Sequence, residues 1–303
     1  PPSPLLSPHV REVGRLMLPR TLGLAAVQVN FLVNTVLAST LSAGSLATLN
    51  YAWMLMLLPQ GVLAQGVATA AFPTFSALAA RGELEGLREL LLRALRGVLF
   101  LTLPAAVGLI LLRQPLVSLV FQRQAFGMDS VRAVAPVLAL YSLGLCAHSG
   151  LEVLTRAFYA LHDTRTPVQI GVLAMSMNVL FSLTLLGPMR EGGLALANSL
   201  ATWIEVVILW VFLRERLPGL GLGDIAPSLA RMGLAAALMG AALLLMRGLP
   251  LPLPVSGAAG IALGGAVYLA TGMALGLPEA SAIRRGLAHR LARGGVSLIS
   301  GAR

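Results

Sequence analysis

Eight runs of about twenty consecutive apolar residues dominate this sequence, and a helix needs about that many to cross the hydrocarbon of a bilayer. Inside lipid every backbone N–H and C=O must be paired within its own element, so such runs fold as helices. They fall at about 20–42, 46–78, 97–113, 131–160, 167–187, 193–213, 227–248 and 253–277. The chain is 57% hydrophobic and only 11% charged, less than half the charge of a soluble domain, which carries about 25%. The expected fold is therefore an all-α membrane protein of about eight transmembrane helices. Pro59, inside the second run, removes one backbone hydrogen bond and is expected to kink it. The fourth run, 131–160, is too long for one perpendicular span and is expected to tilt or project from the bilayer. The fifth opens at Pro167, a residue suited to a first helical turn.

Charge gives the orientation. All 22 basic residues are Arg, against 12 acidic ones, for a net charge of +10. Nucleic-acid binding would need a basic patch on a folded face. Here the arginines sit at the ends of apolar runs, which excludes a nucleic-acid partner. With residues 1–19 in the cytoplasm, alternating spans leave Arg113, Arg123, Arg132, Arg190 and Arg247 outside and the other 17 of the 22 inside. The positive-inside rule then places both ends in the cytoplasm, with Arg20, Arg156 and Arg231 snorkelling from span ends. Residues 1–19 read as a cytoplasmic lead-in and 278–303 as a basic tail on the membrane surface. The opening Pro1-Pro2-Ser3-Pro4, without an initiator Met, fits a chain that begins partway through a longer protein. A lone Cys146 makes no intramolecular disulfide, and His9, His148, His162 and His289 lack ligand spacing. No metal or cofactor is expected.

Ionisable and amide side chains inside spans are the candidates for function. His148, Glu152 and Arg156 recur every four residues on the fourth run, with Glu152 before Arg156 in the better order for a helical ion pair. They read either as a polar stripe facing a wet cavity or as a self-neutralising structural pair. Arg20 and Asn34 share one side of the first run, and Asn50, Met54 and Gln65 one side of the second. Buried amides serve equally as interhelical glue. Asn198, Thr202 and Glu205 lie at similar spacing on the sixth run, where Glu205 must be protonated, paired or hydrated. Residues 81–96 pair Glu85 with Arg88 and Glu89 with Arg93 around a leucine stripe. They form either an amphipathic helix at the cytoplasmic interface or an extension of the third span. No catalytic constellation stands out, so the chain does not read as an enzyme.

Three stretches resemble one known family. They are Pro19-Arg20-Thr21-Leu22-Gly23 through Asn50-Tyr51-Ala52 to Leu58-Pro59-Gln60-Gly61-Val62; Ala71-Phe72-Pro73-Thr74; and, most specific, Arg156-Ala157-Phe158-Tyr159-Ala160-Leu161-His162-Asp163-Thr164-Arg165-Thr166-Pro167. Gly193-Leu194-Ala195-Leu196-Ala197 adds to them. The chain is similar over about 11–216 to the MurJ (MviN) family of lipid II flippases, within the multidrug/oligosaccharidyl-lipid/polysaccharide exporter superfamily. The resemblance implies fourteen helices: two six-helix lobes across a cavity, then two more helices that offer a groove for a lipid tail. This chain would supply helices seven to fourteen, with 20–216 as the C-terminal lobe and 217–277 as the last pair. An N-terminal six-helix lobe would be its missing partner. The implied activity is outward movement of lipid II by alternating access in the bacterial inner membrane. Arg20, Asn34, Asn50, Gln65, Glu152 and Arg156 are then the substrate-cavity candidates. Where the family has Tyr-Ala-x-Arg-Leu, this chain reads Tyr51-Ala52-Trp53-Met54-Leu55, so a cavity Arg is replaced by Met54, and Arg20 or Arg156 is left to compensate. The alternatives are an exporter of another lipid-linked oligosaccharide, or a non-transporting scaffold that recruits partners through 81–96 and 284–303.

Overall fold

The computed structural model describes residues 28, 32–123, 126–248 and 250–282, which are helical almost throughout. A first helical segment, α1, covers 32–39. Then follow α2 (Ser45–Pro59), a π-helical stretch (Gln60–Gln65), α3 (Gly66–Ala80), α4 (Leu84–Leu111), α5 (Arg113–Phe121), α6 (Met128–Ser142), α7 (Leu145–Ala160), α8 (Arg165–Met189), α9 (Glu191–Arg216), α10 (Ala226–Met246) and α11 (Leu253–Ala274). Among the described residues six stretches can cross a membrane: Ser45–Ala80, α4, α8, α9, α10 and α11. The bent pair α6–α7 makes a seventh if it counts as one span. Residues 20–27 and 29–31 of the first run, including Arg20, and the tail from 283 onward lie outside the described residues.

No more than 39% of the most apolar window of any of the six is buried in the protein. The rest of that surface is apolar too: Leu58, Val62, Leu183, Val207 and Leu245 are all exposed. Water does not tolerate apolar patches of that extent on a folded monomer, and lipid covers them. The chain is an all-α membrane protein.

Two cores stack along the bundle, and α4 runs through both. Leu87, Leu91, Leu95 and Val98 pack with Phe75, Phe158, Leu213 and Ile225. Further along α4, Phe100, Ala106 and Leu109 pack with Met56, Leu138, Met239 and Tyr268. Residues 84–96 are continuous with α4, so this stretch extends the third span. Leu87, Leu91 and Leu95 of its leucine stripe are spent on the protein core, while Leu84 stays exposed. The polar face has its own task. Arg88 pairs with Glu85 at 2.6 Å and donates to Gly219 O at 2.7 Å, while Arg96 donates to Asp224 O. The connection from α9 to α10 is thereby tied to α4.

Three local features depart from straight spans. At Pro59 the missing N–H deprives a carbonyl one turn back of its partner. The following residues, Gln60–Gln65, take π-helical spacing, and the helix persists over 36 residues instead of breaking. The run at 131–160 meets its excess length by breaking rather than only tilting. Helices α6 and α7 meet at 43°, and the carbonyls freed at the break are capped by α9. Ser199 Oγ donates to Leu140 O at 2.8 Å, and Trp203 Nε1 donates to Leu143 O at 2.9 Å. Gly144 permits this approach, since a Cβ there would lie 2.7 Å from Ser199 Oγ. Finally, α5 occupies part of what reads from sequence as an outer connection. Nine residues are too few to show a clear helical period, yet Leu116 and Val117 are buried in the core.

Candidate functional site

The best-formed polar group inside the bundle is built on α7 and α3. Four residues separate Glu152 from Arg156, one helical turn, and Arg156 Nη1 meets Glu152 Oε2 at 2.5 Å. Side-chain exposures of 25% and 23% leave the pair partly desolvated. The same guanidinium reaches across to Thr69 Oγ1 on α3 at 3.3 Å. Gln65 lies one turn before Thr69 and is exposed, at the end of the π-helical stretch, which packs on α7. The structure thus brings Glu152, Arg156 and the helix carrying Gln65 together. A guanidinium with five donors and one carboxylate partner retains donors for an anion.

The other candidates lie elsewhere. Asn34 Nδ2 donates to Asn178 Oδ1 on α8 at 2.9 Å, and Ser182 Oγ donates to Asn34 Oδ1 at 3.4 Å. Asn34 therefore joins α1 to α8, as interhelical amides do. Asn50 is exposed on α2, about 22 Å along the helix from Gln65 at 1.5 Å per residue. Met54, on the same helix, is 57% exposed, so a long side chain there faces outward from this bundle. Arg20 falls outside the described residues.

One group escapes a reading that treats helices singly. His148 Nε2 lies 3.0 Å from Asn198 Oδ1 and 3.3 Å from Thr202 Oγ1, and its ring meets Trp53 edge-on at 5.5 Å. The signal was present as polar residues four apart on the sixth run. What could not be read was that His148, from another helix, would face them. Glu205, one turn further along α9 than Thr202, lies against α8: a Cβ on Gly171 would be 3.4 Å from its Oε1.

The stretch 156–167, the most specific of the family resemblances, turns out to be a joint. His162 takes φ +58° between α7 and α8. Asp163 Oδ1 accepts the backbone N–H of Arg165 and of Thr166, both at 3.0 Å, which caps the start of α8. Its Oδ2 meets Arg216 at 2.5 Å, and that guanidinium lies 5.7 Å from the centre of the Phe158 ring. The end of α9 is thus bolted to the α7–α8 turn. Burial pushes the Asp163 carboxyl up, but the hydrogen bonds from Thr166, the charge of Arg216 and the Arg165 N–H outweigh it and hold the group below its ordinary value. A depressed carboxyl contributes stability above the unfolded pKa, about 4, and loses it as pH falls through the folded value. Thermal melting of the solubilised protein should therefore drop more steeply below about pH 4 than that of Asp163→Asn. Equal pH profiles would show that the joint carries no such linkage.

With this geometry in view, comparison with known proteins is specific. Residues 3–256 match the family model for the lipid II flippase MurJ. The chain is 35% identical over 242 residues to a probable lipid II flippase MurJ from Rhizobium meliloti, covering 79% of this chain and 45% of that protein. It is 32% identical over 238 residues to the one from Thermotoga maritima, with coverages of 78% and 47%. Its fold superposes on a lipid II flippase MurJ in an inward closed conformation with a TM-score of 0.76, at 24% identity, over 87% of this chain and 54% of that one. On a MOP superfamily transporter from Pyrococcus furiosus the TM-score is 0.57 at 16% identity. These structural likenesses speak for the fold alone. The chain spans less than half the length of those two relatives. Since the family match covers most of its residues, the chain belongs to the lipid II flippase MurJ family.

Proposed function

We propose that this chain is the C-terminal part of a flippase for lipid II, moving that lipid-linked precursor outward across the bacterial inner membrane for cell-wall synthesis. The family match over residues 3–256 carries the proposal. Residues 20–216 would form one six-helix lobe and α10–α11 the final pair, working against an N-terminal six-helix lobe. The lead-in 1–19 and the tail 278–303 would both lie in the cytoplasm, as the arginine distribution favours. The activity is transport by alternating access rather than catalysis. A diphosphate crossing the bilayer needs cationic, hydrated surroundings, and a guanidinium suits phosphate by its planar fork of donors. In this lobe Arg156, half-buried beside Glu152 and Thr69, would take that role. Exposed Asn50 and Gln65 on the Ser45–Ala80 helix would face the opposing lobe.

Placed in a reading frame that supplies the first lobe, the chain is expected to rescue cells depleted of their own lipid II flippase. Rescue would also show that Met54 is tolerated where the family carries Arg. Failure with normal amounts of protein in the membrane would reject lipid II as the substrate and favour another lipid-linked oligosaccharide.

A further inference from the structure

Where α4 gives way to α5 and α10 turns into α11, two arginines border one cavity. It has a volume of about 340 Å³ and is lined by Arg113, Gln114, Arg247 and Ser256, with Leu112 and Leu251. Arg113 Nη1 donates to Ile110 O at 3.0 Å, and Arg247 Nη2 donates to Leu111 O. Both acceptors belong to the last turn of α4, which holds the two guanidinium heads beside the cavity. Each contact uses one of five donors. The acidic groups near this end are engaged with other arginines: Asp129 with Arg132 and Glu191 with Arg190. Neither Arg113 nor Arg247 has a carboxylate partner among the described residues. Two positive charges thus line a pocket with no counterion among the described residues.

Leu112 also borders a second cavity, about 510 Å³ and almost wholly apolar, between α4–α5 and α10–α11. On the α11 side that groove is floored by Gly260, Gly264 and Gly265. A basic pocket that shares a wall with an apolar groove, at the level where spans end, has the polarity of an amphiphile with an anionic head. We propose that the Arg113–Arg247 pocket binds the phosphate of an anionic phospholipid, with an acyl chain entering the adjoining groove. Charge complementarity selects an anion, the forked guanidinium geometry suits phosphate, and the position at span ends matches the headgroup layer. In the proposed orientation this is the outer leaflet. The resemblance implied a tail groove along the last two helices, but no headgroup site at its end. The lipid would bridge α4–α5 to α10–α11.

Native mass spectrometry of the full-length protein, titrated separately with phosphatidylglycerol and phosphatidylcholine, tests the proposal. Phosphatidylglycerol should be retained about thirtyfold better, as two surface-level arginines would give. The variant R113Q/R247Q should lose that preference, while R113K/R247K, which keeps both charges, should retain part of it and report on folding. Gly265→Leu should weaken phosphatidylglycerol retention, because Gly265 lines the groove and an added Cβ there meets nothing within 4 Å, and an unchanged melting temperature checks that the variant folds. An undiminished preference in R113Q/R247Q would overturn the proposal. So would full competition by inorganic phosphate with no effect of Gly265→Leu, the signature of a simple anion site. Displacement by a polyprenyl diphosphate at tenfold lower concentration would reassign the pocket to the substrate's path.

Discussion

A methyl group added at Gly193 is expected to destabilise the α8–α9 hairpin by about 3 kcal/mol, the upper range for overpacking, while the same change at Gly187 should do no harm. The two helices are joined through Arg190 alone, which takes φ +51°, so they leave the turn in close contact. A Cβ on Gly193 would lie 2.3 Å from Leu185 O and 2.6 Å from its carbonyl carbon. Those are backbone atoms inside α8 and cannot swing aside as a side chain would. At Gly187, six residues earlier in the sequence, a Cβ meets nothing within 4 Å. Alanine there should stabilise slightly, since glycine costs roughly 0.5–1 kcal/mol within a helix. Thermal unfolding of the two variants in detergent, followed by size-exclusion chromatography, measures the difference. Equal midpoints would show that the hairpin is looser than its geometry.

Replacing Arg156 by Ala is expected to abolish transport and also to destabilise the lobe. Removing one member of a buried pair costs about 3–5 kcal/mol, and a pair still about a quarter exposed should fall below that range. Glu152 would be left partly desolvated, and α7 would lose its contact with Thr69 on α3. The double variant E152Q/R156M separates the two roles, because it removes both charges together and leaves no stranded carboxylate. If Arg156 meets the diphosphate, the double variant should melt near the parent and still fail to rescue depleted cells. A double variant that rescues would mean that the pair serves only to hold α7 on α3.

Much of this molecule is legible from spacing alone. The apolar runs locate the membrane-crossing helices because burial in lipid acts on each helix by itself. The pairing of Glu152 with Arg156, and of Glu85 with Arg88, is set within one turn of one helix and needs no tertiary knowledge. What depends on a second helix stays hidden. His148 meets Asn198 and Thr202 because α7 packs on α9. Nor does spacing reveal that Asn34 meets α8 rather than the group around Arg156. The shared wheel of Asn50 and Gln65 assumes 3.6 residues per turn, which the π-helical spacing of Gln60–Gln65 breaks, and it says nothing of the distance between them.

The elbow between α6 and α7 also sets an order of events during synthesis. Its freed carbonyls at Leu140 and Leu143 are capped by Ser199 and Trp203, which lie 59 and 60 residues further along the chain. At about 5–20 residues per second the ribosome delivers those caps some 3–12 s later. Until then the pair must enter the bilayer as a straighter rod, or with the bend sheltered by the insertion machinery, because hydrocarbon offers those carbonyls nothing. The bend is therefore completed only after α9 has been made, and a chain stalled before Ser199 should hold α6 and α7 in a different shape from the finished protein.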